Sequence, residues 1–110
     1  MDNPLTERRL RLDKLLRSIV KERCGEENVY YQPPANLKMK YPCIRYERSR
    51  IRNIAADNRV YSQRIFYDIP VIDPQPDSEM TVNLAQLPRI SHEQNFTADG
   101  LHHDVFSIYY

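Results

Sequence analysis

Glycine is scarce in this chain, since only Gly25 and Gly100 occur among 110 residues, and tryptophan is absent. A phosphate-binding loop or a dinucleotide fingerprint needs several closely spaced glycines, because the backbone must approach the phosphate closely. The sequence contains neither motif. We therefore predict no nucleotide chemistry and no cofactor.

Strong net charge and long apolar runs are also lacking. The formal net charge is +1, and no apolar run approaches the roughly 18 residues that cross a bilayer. The first residues, MDNPLTERRL, lack the apolar core of a secretory signal. We expect no membrane partner, no recognition of nucleic-acid sequence, and a protein that stays where it is made.

Only two cysteines occur, Cys24 and Cys43, and they form no CxxC pair. A structural disulfide is disfavoured inside the cell, where thiols are kept reduced. We predict two buried, inert thiols, with a disulfide bridge or a reactive thiol as the alternatives.

The composition indicates a small core with a large polar exterior, because 41% of the residues are apolar and the mean hydropathy is −0.70. A chain of this length is most simply one domain, here residues 1–110.

The clearest helical pattern covers residues 4–24. Asn3 can cap its first turn, which tolerates Pro4, and Gly25 supplies the left-handed residue that often follows a last turn. Acidic residues interrupt its basic face, which favours a solvated surface over a nucleic-acid or phospholipid surface. The apolar stripe consists of Leu5, Leu12, Leu15, Leu16, Ile19 and Val20.

Three β-prone runs follow, at residues 29–32, 41–48 and 60–73. If the second run pairs with the third in antiparallel fashion, residues 49–59 form the exposed far end of a long hairpin arm. Alternating cationic and apolar residues there suit the binding of a partner. The alternative is a mobile surface loop.

The third run ends at Asp73-Pro74-Gln75-Pro76-Asp77, where two prolines remove backbone donors. A short amphipathic helix is predicted after it, at residues 77–87. We predict that the carboxylates of Asp73 and Asp77 cap this helix.

The C-terminal residues predict a closing hairpin around a turn at Asp99-Gly100. The element order is therefore α-β-β-β-α-β-β. This order predicts an α+β fold of two layers, with a mainly antiparallel sheet, two helices packed on one face and a protruding β-hairpin arm.

The chain has three histidines, His92, His102 and His103. Adjacent strand residues point to opposite faces, so His102 and His103 would not both bind one ion, and we predict no metal site. Cys43 or Ser91 with His103 and Asp104 would supply a nucleophile, a base and an acid, but only as a generic combination. We predict no catalytic residues and no enzyme.

Five short stretches share their order and spacing with one protein family. They are Val29-Tyr30-Tyr31-Gln32-Pro33-Pro34, Tyr41-Pro42-Cys43-Ile44, Ala56-Asp57-Asn58 followed by Tyr61, Val71-Ile72-Asp73 with Pro76-Asp77-Ser78, and Thr97-Ala98-Asp99-Gly100-Leu101-His102-His103-Asp104-Val105-Phe106. Over nearly the whole chain the sequence resembles the tail completion or tail terminator proteins of long-tailed bacteriophages.

The resemblance implies a ring subunit, typically of a hexamer, that caps the tail tube, ends tube polymerisation and provides the surface for head attachment. The implied partners are copies of the chain itself, the tail tube protein and the head–tail connector or stopper protein. The implied location is the head-proximal end of the virion tail, with the host cytoplasm during assembly. The alternatives are a head–tail adaptor or stopper protein and a small host-directed binding or enzymatic protein.

We assign the contacts with neighbouring subunits or the tube to the arm, and assign no catalytic, cofactor-binding or metal-binding residue. The predicted contact residues are Arg48, Arg50, Ile51, Arg52, Asn53, Asp57, Asn58 and Arg59.

Overall fold

The computed structural model describes residues 3–56 and 59–110 and contains two helices and one five-stranded sheet. The predicted α+β class is confirmed. In chain order the elements are α1 (Pro4–Cys24), β1 (Val29–Tyr31), β2 (Cys43–Ala56), β3 (Arg59–Asp73), α2 (Glu79–Ala85), β4 (Ile90–Ala98) and β5 (Leu101–Tyr109).

Helix α1 has the predicted bounds because its end signals are local. The Asn3 side chain accepts a hydrogen bond from the backbone N–H of Leu5 at 2.9 Å. At the other end Gly25 adopts a φ of 80°, and its N–H bonds to the carbonyl of Lys21. Both devices satisfy backbone groups that a helix end leaves without partners.

The strands lie in the order β1-β2-β3-β5-β4. β1 runs parallel to β2, and every other neighbouring pair is antiparallel. β3 is therefore the central strand. β4 lies at one edge, and its side chains are exposed except at Ile90, which is partly buried.

The core lies on one face of the sheet, which we call the helix face. Alternate residues of β2, β3 and β5 point there and pack against both helices, whereas the opposite face, which we call the open face, carries most of the polar strand residues. The buried members are Leu12, Leu16, Ile19, Val20, Val29, Ile44, Tyr46, Ile65, Tyr67, Ile69, Val71, Met80, Leu84, Phe106 and Ile108.

Pro70 lies in the central strand although it has no backbone N–H to donate. Its neighbour on β5 is Val105, and that ladder is continuous. The ladder to β2 is interrupted opposite Pro70 and Ile69 and resumes in the same register. The proline therefore removes pairing locally without shifting the strands.

The capping prediction for the second helix was wrong in its residues. Helix α2 begins at Glu79, and its N-cap is Ser78, whose hydroxyl accepts from the N–H of Met80 at 3.2 Å. Asp77 is exposed. Asp73 is buried at the end of β3 and does not bond to the backbone of α2 itself. Its carboxylate accepts from the Ser78 hydroxyl at 2.8 Å and so orients the residue that caps the helix.

The closing hairpin is confirmed, and its strands are β4 and β5. Asp99 and Gly100 have φ angles of 53° and 75°, as a two-residue turn between right-twisted strands requires. Among the described residues, no helix has both the length and the apolarity needed to cross a membrane.

Candidate interaction surface

The hairpin of β2 and β3 extends well beyond its neighbours. β1 pairs with β2 only at residues 44–46, and β5 pairs with β3 only from Phe66 onwards. Residues 49–56 and 59–64 form the ribbon that we call the arm, and no other described strand lies beside it. At 3.3 Å per residue the arm is about 26 Å long, and the longest dimension of the molecule is 51 Å.

A β-bulge at Ser49 decides which way the arm's side chains point. Arg48 pairs with Tyr67 and Arg50 pairs with Phe66, so β2 has one extra residue between them. Strict alternation would place Arg48 and Arg50 on the same face. The bulge instead leaves Arg48 on the helix face and turns Arg50 and Arg52 to the open face.

The structure separates the predicted contact residues into groups. Arg50 and Arg52 lie on the open face, Ile51 and Asn53 on the opposite side of the arm, and Arg48 at the base of the arm beside α1. The side chain of Ile51 is 41% exposed. For Arg59 the structure gives backbone pairing with Ala56, whereas Asp57 and Asn58 lie outside the described residues.

Two acidic residues face each other on the open face, and we call Glu47 and Asp68 the acidic pair. Asp68 of β3 and Glu93 of β4 line a shallow groove of about 410 Å³. Burial, together with the negative charges of Glu47 and Glu93, raises the pKa of Asp68, and the nearby Arg50 opposes this shift. Three carboxylates thus lie close together on exposed sheet.

Two arginines also face each other on the open face, and we call Arg52 and Arg64 the arginine pair. The guanidinium of Arg64 lies 5.0 Å from the ring centre of Tyr109, and that of Arg50 lies 4.4 Å from the ring centre of Phe66. Stacking on aromatic rings holds the guanidinium groups of Arg64 and Arg50 close to the sheet.

A cationic groove of about 450 Å³ lies where β5 ends and the arm begins. Four arginines line it, and none of its described lining residues is acidic. Arg8 also donates to the carbonyl of Gln63 at 3.2 Å, which ties α1 to the arm. Sequence reasoning missed this groove, because its arginines are distant in sequence. They are Arg8, Arg11, Arg64 and Arg89.

Partly buried polar side chains bind α1 to the sheet behind this surface. The Tyr46 hydroxyl donates to Asp13 of α1 at 2.5 Å and accepts from Arg9 at 3.5 Å. Burial and the hydrogen bond to Asp13 raise the pKa of Tyr46. These hydrogen bonds fix β2, at the base of the arm, relative to α1.

The residues considered for catalysis lie apart. Asp104 points to the helix face, where it accepts from Asn95 at 2.8 Å and from Thr81 at 3.0 Å, with His92 at 2.9 Å. His103 lies on the open face, stacked on Phe96 at 4.5 Å. Asp104 therefore does not orient His103 as a triad would require.

The other nucleophile candidates are engaged elsewhere. The Ser91 hydroxyl donates to Glu93 at 2.6 Å. Cys43 is fully buried opposite Ile72, and burial raises the pKa of its thiol to about 12. Cys24 is partly exposed, and both thiols are free. Among the described residues, no group of three histidine, cysteine or acidic side chains is placed to hold a metal ion.

Comparison with protein-family models, with curated proteins and with solved structures gives no match to this chain.

Proposed function

We propose that this chain is a structural virion protein of the tail terminator kind, which caps the tail tube as a ring. The ring, in the hexameric form that the resemblance implies, ends tube polymerisation and provides the surface for head attachment. The arm is the observation that carries this proposal, because it is the part of the fold built to contact something outside the subunit.

A two-stranded ribbon is marginally stable in water unless something covers it. Both edges of the arm offer backbone donors and acceptors, and β4 offers a further edge with exposed side chains. Contacts of this kind suit assembly into a larger structure. They support a structural role over catalysis.

The charge distribution also supports assembly. Residues 49–64 contain four arginines and one aspartate, a formal charge of +3, whereas the whole chain carries +1. The remaining residues therefore sum to −2. A cationic arm on a weakly acidic body favours contact with an acidic surface, whether of another copy or of a different protein.

In this proposal the partners are copies of the chain, the tail tube protein and the head–tail connector or stopper protein. Identical subunits close into a ring when one surface meets a different surface of the next copy. The protein would occupy the head-proximal end of the tail in the virion, after assembling in the host cytoplasm.

Deleting the gene from the phage that encodes it tests the proposal. We expect tails of uncontrolled length, seen by electron microscopy, because nothing stops tube growth. Tails of normal length that fail to join heads would support the head–tail adaptor alternative. A tagged copy should label the head-proximal tail end, and a label elsewhere in the virion would overturn the proposal.

A triple variant tests the arm itself. Replacing Arg50, Arg52 and Arg59 by alanine should abolish tail capping while changing the free energy of unfolding by less than about 1 kcal/mol. Arg50 and Arg52 are exposed, and exposed charges contribute little to folding. The matched control replaces three exposed cationic residues outside the arm and outside the cationic groove, which should leave capping intact. They are Lys14, Lys21 and Lys38.

A further inference from the structure

The open face carries two like-charge pairs of opposite sign. Glu47 lies directly opposite Asp68, and Arg52 lies directly opposite Arg64. Like charges facing each other across a strand pair destabilise the sheet. In the isolated chain each pair therefore lowers the stability of the sheet through charge repulsion.

Each pair has a neighbouring side chain of its own sign, and the cation Arg50 offsets part of the negative charge at Asp68. Glu93 brings a third carboxylate to the acidic pair. Arg89, whose guanidinium lies 5.9 Å from the ring centre of Tyr109, brings a further cation to the ring on which Arg64 stacks. Arg50 lies between the two pairs, at the groove that Asp68 also lines.

The spacing allows each pair to meet its opposite on another copy. Along β3 the two pairs are four residues apart, or about 13 Å, and they lie on the same face. Within one chain this rigid separation keeps them from neutralising each other. Between two chains the cationic arm of one can lie over the carboxylates of the next.

We propose that two copies of this chain bind through these pairs, with the arginine pair of one copy against the acidic pair of the next. When each copy offers its arginine pair to one neighbour and its acidic pair to another, the contact is heterologous and can continue around a ring. This inference rests on the proposed function and deepens it, because it names the surfaces by which the ring closes.

Reversing the sign of each pair tests the contact. One variant combines Glu47→Lys with Asp68→Lys, and the other combines Arg52→Glu with Arg64→Glu. Self-association is measured by sedimentation velocity over a range of concentrations. We expect each variant alone to associate at least about tenfold more weakly than the natural chain, because like charges then meet across the interface.

An equimolar mixture of the two variants should recover association to within about threefold of the natural chain, because opposite charges meet again. Association of the natural chain should also weaken as salt is raised. A mixture that stays as weak as its components would overturn the inference. So would a natural chain that remains monomeric at every concentration.

Controls separate misfolding and net charge from the contact itself. Glu26→Lys with Glu22→Lys, and Lys14→Glu with Lys21→Glu, make the same changes in net charge on exposed residues outside the open face. These variants should associate as the natural chain does. If a reversal variant melts early, the neutral pair Glu47→Gln with Asp68→Asn replaces it, and unchanged association there would count against the contact.

The outcomes also separate this inference from the proposed function. Rescue in the mixture with particles no larger than a dimer would support the charge pairing but contradict a ring. Normal capping of tails by both reversal variants would overturn the pairing and leave the terminator role standing.

Discussion

Asp73 joins three elements, and replacing it by alanine tests that connection. Its side chain is only 1% exposed. The carboxylate accepts from the N–H of Gln75 and from the Ser78 hydroxyl, each at 2.8 Å. It also accepts from Nε of Arg23 at 3.0 Å, which ties the last turn of α1 to the end of β3.

The loss of stability expected for Asp73→Ala follows from these contacts. A neutral hydrogen bond contributes about 1 kcal/mol to stability, and one to a charged group about 1.5–3 kcal/mol. The Arg23 side chain is 26% exposed, so solvent weakens the contribution of its ion pair with Asp73 to the free energy of unfolding. We expect Asp73→Ala to lower the free energy of unfolding by about 3 kcal/mol. For a domain of this size, at about 4 °C per kcal/mol, the melting temperature falls by about 12 °C.

Urea unfolding followed by circular dichroism measures this change. Asp77→Ala is the matched control, because Asp77 is exposed and should change the free energy of unfolding by less than about 0.5 kcal/mol. Arg23→Ala removes only the ion pair and should cost about 1 kcal/mol. If Asp73→Ala is no more harmful than Asp77→Ala, the argument that Asp73 organises this junction is wrong.

Three further predictions concern stability. Arg52→Glu should stabilise the isolated chain by about 0.2–1 kcal/mol, because it replaces a like-charge pair with an opposite-charge pair; a lower melting temperature would contradict this. Tyr46→Phe should cost about 1–2 kcal/mol in urea unfolding because Asp13 loses a donor. Tyr67→Phe should cost less, because the Tyr67 hydroxyl makes no hydrogen bond to the part of the chain that the structure describes. Burial alone would raise the pKa values of Asp73 and Asp104, but their hydrogen bonds outweigh burial and lower both pKa values. The two carboxylates therefore stabilise the fold fully above about pH 4, the pKa of an unfolded aspartate. This stabilisation is lost as the pH falls through the folded pKa values. Asp73→Ala should therefore lose less stability between pH 5 and pH 2 than the natural chain, and equal losses would contradict the assignment.

Elements defined by neighbouring residues were predictable from the sequence. The bounds of α1 follow from Asn3 and Gly25, which bond to backbone groups two and four residues away, respectively. The turn at Asp99 and Gly100 is local in the same way. In β2, Ile44 and Tyr46 alternate with Arg45 and Glu47, and only the former two are buried on the helix face, as the period of two in a strand requires.

Elements defined by distant partners were not predictable. The parallel pairing of β1 with β2, and the position of β5 beside β3, depend on which hydrophobic faces meet. The cap of α2 was assigned to Asp73 and Asp77 because an aspartate before a helix is a common cap. The structure uses Ser78, because the buried Asp73 holds its hydroxyl in place.

The interaction surface depends partly on neighbouring residues and partly on distant partners. The sequence by itself determined that residues 49–59 carry a dense cationic segment between two strands, because composition and alternation are local properties. Only the tertiary structure decided which side of the sheet the arginines occupy, because one bulge residue at Ser49 reverses the alternation. The pairing of Glu47 with Asp68 and of Arg52 with Arg64 depends on that register, and register is fixed by the packing of the whole sheet rather than by any single strand.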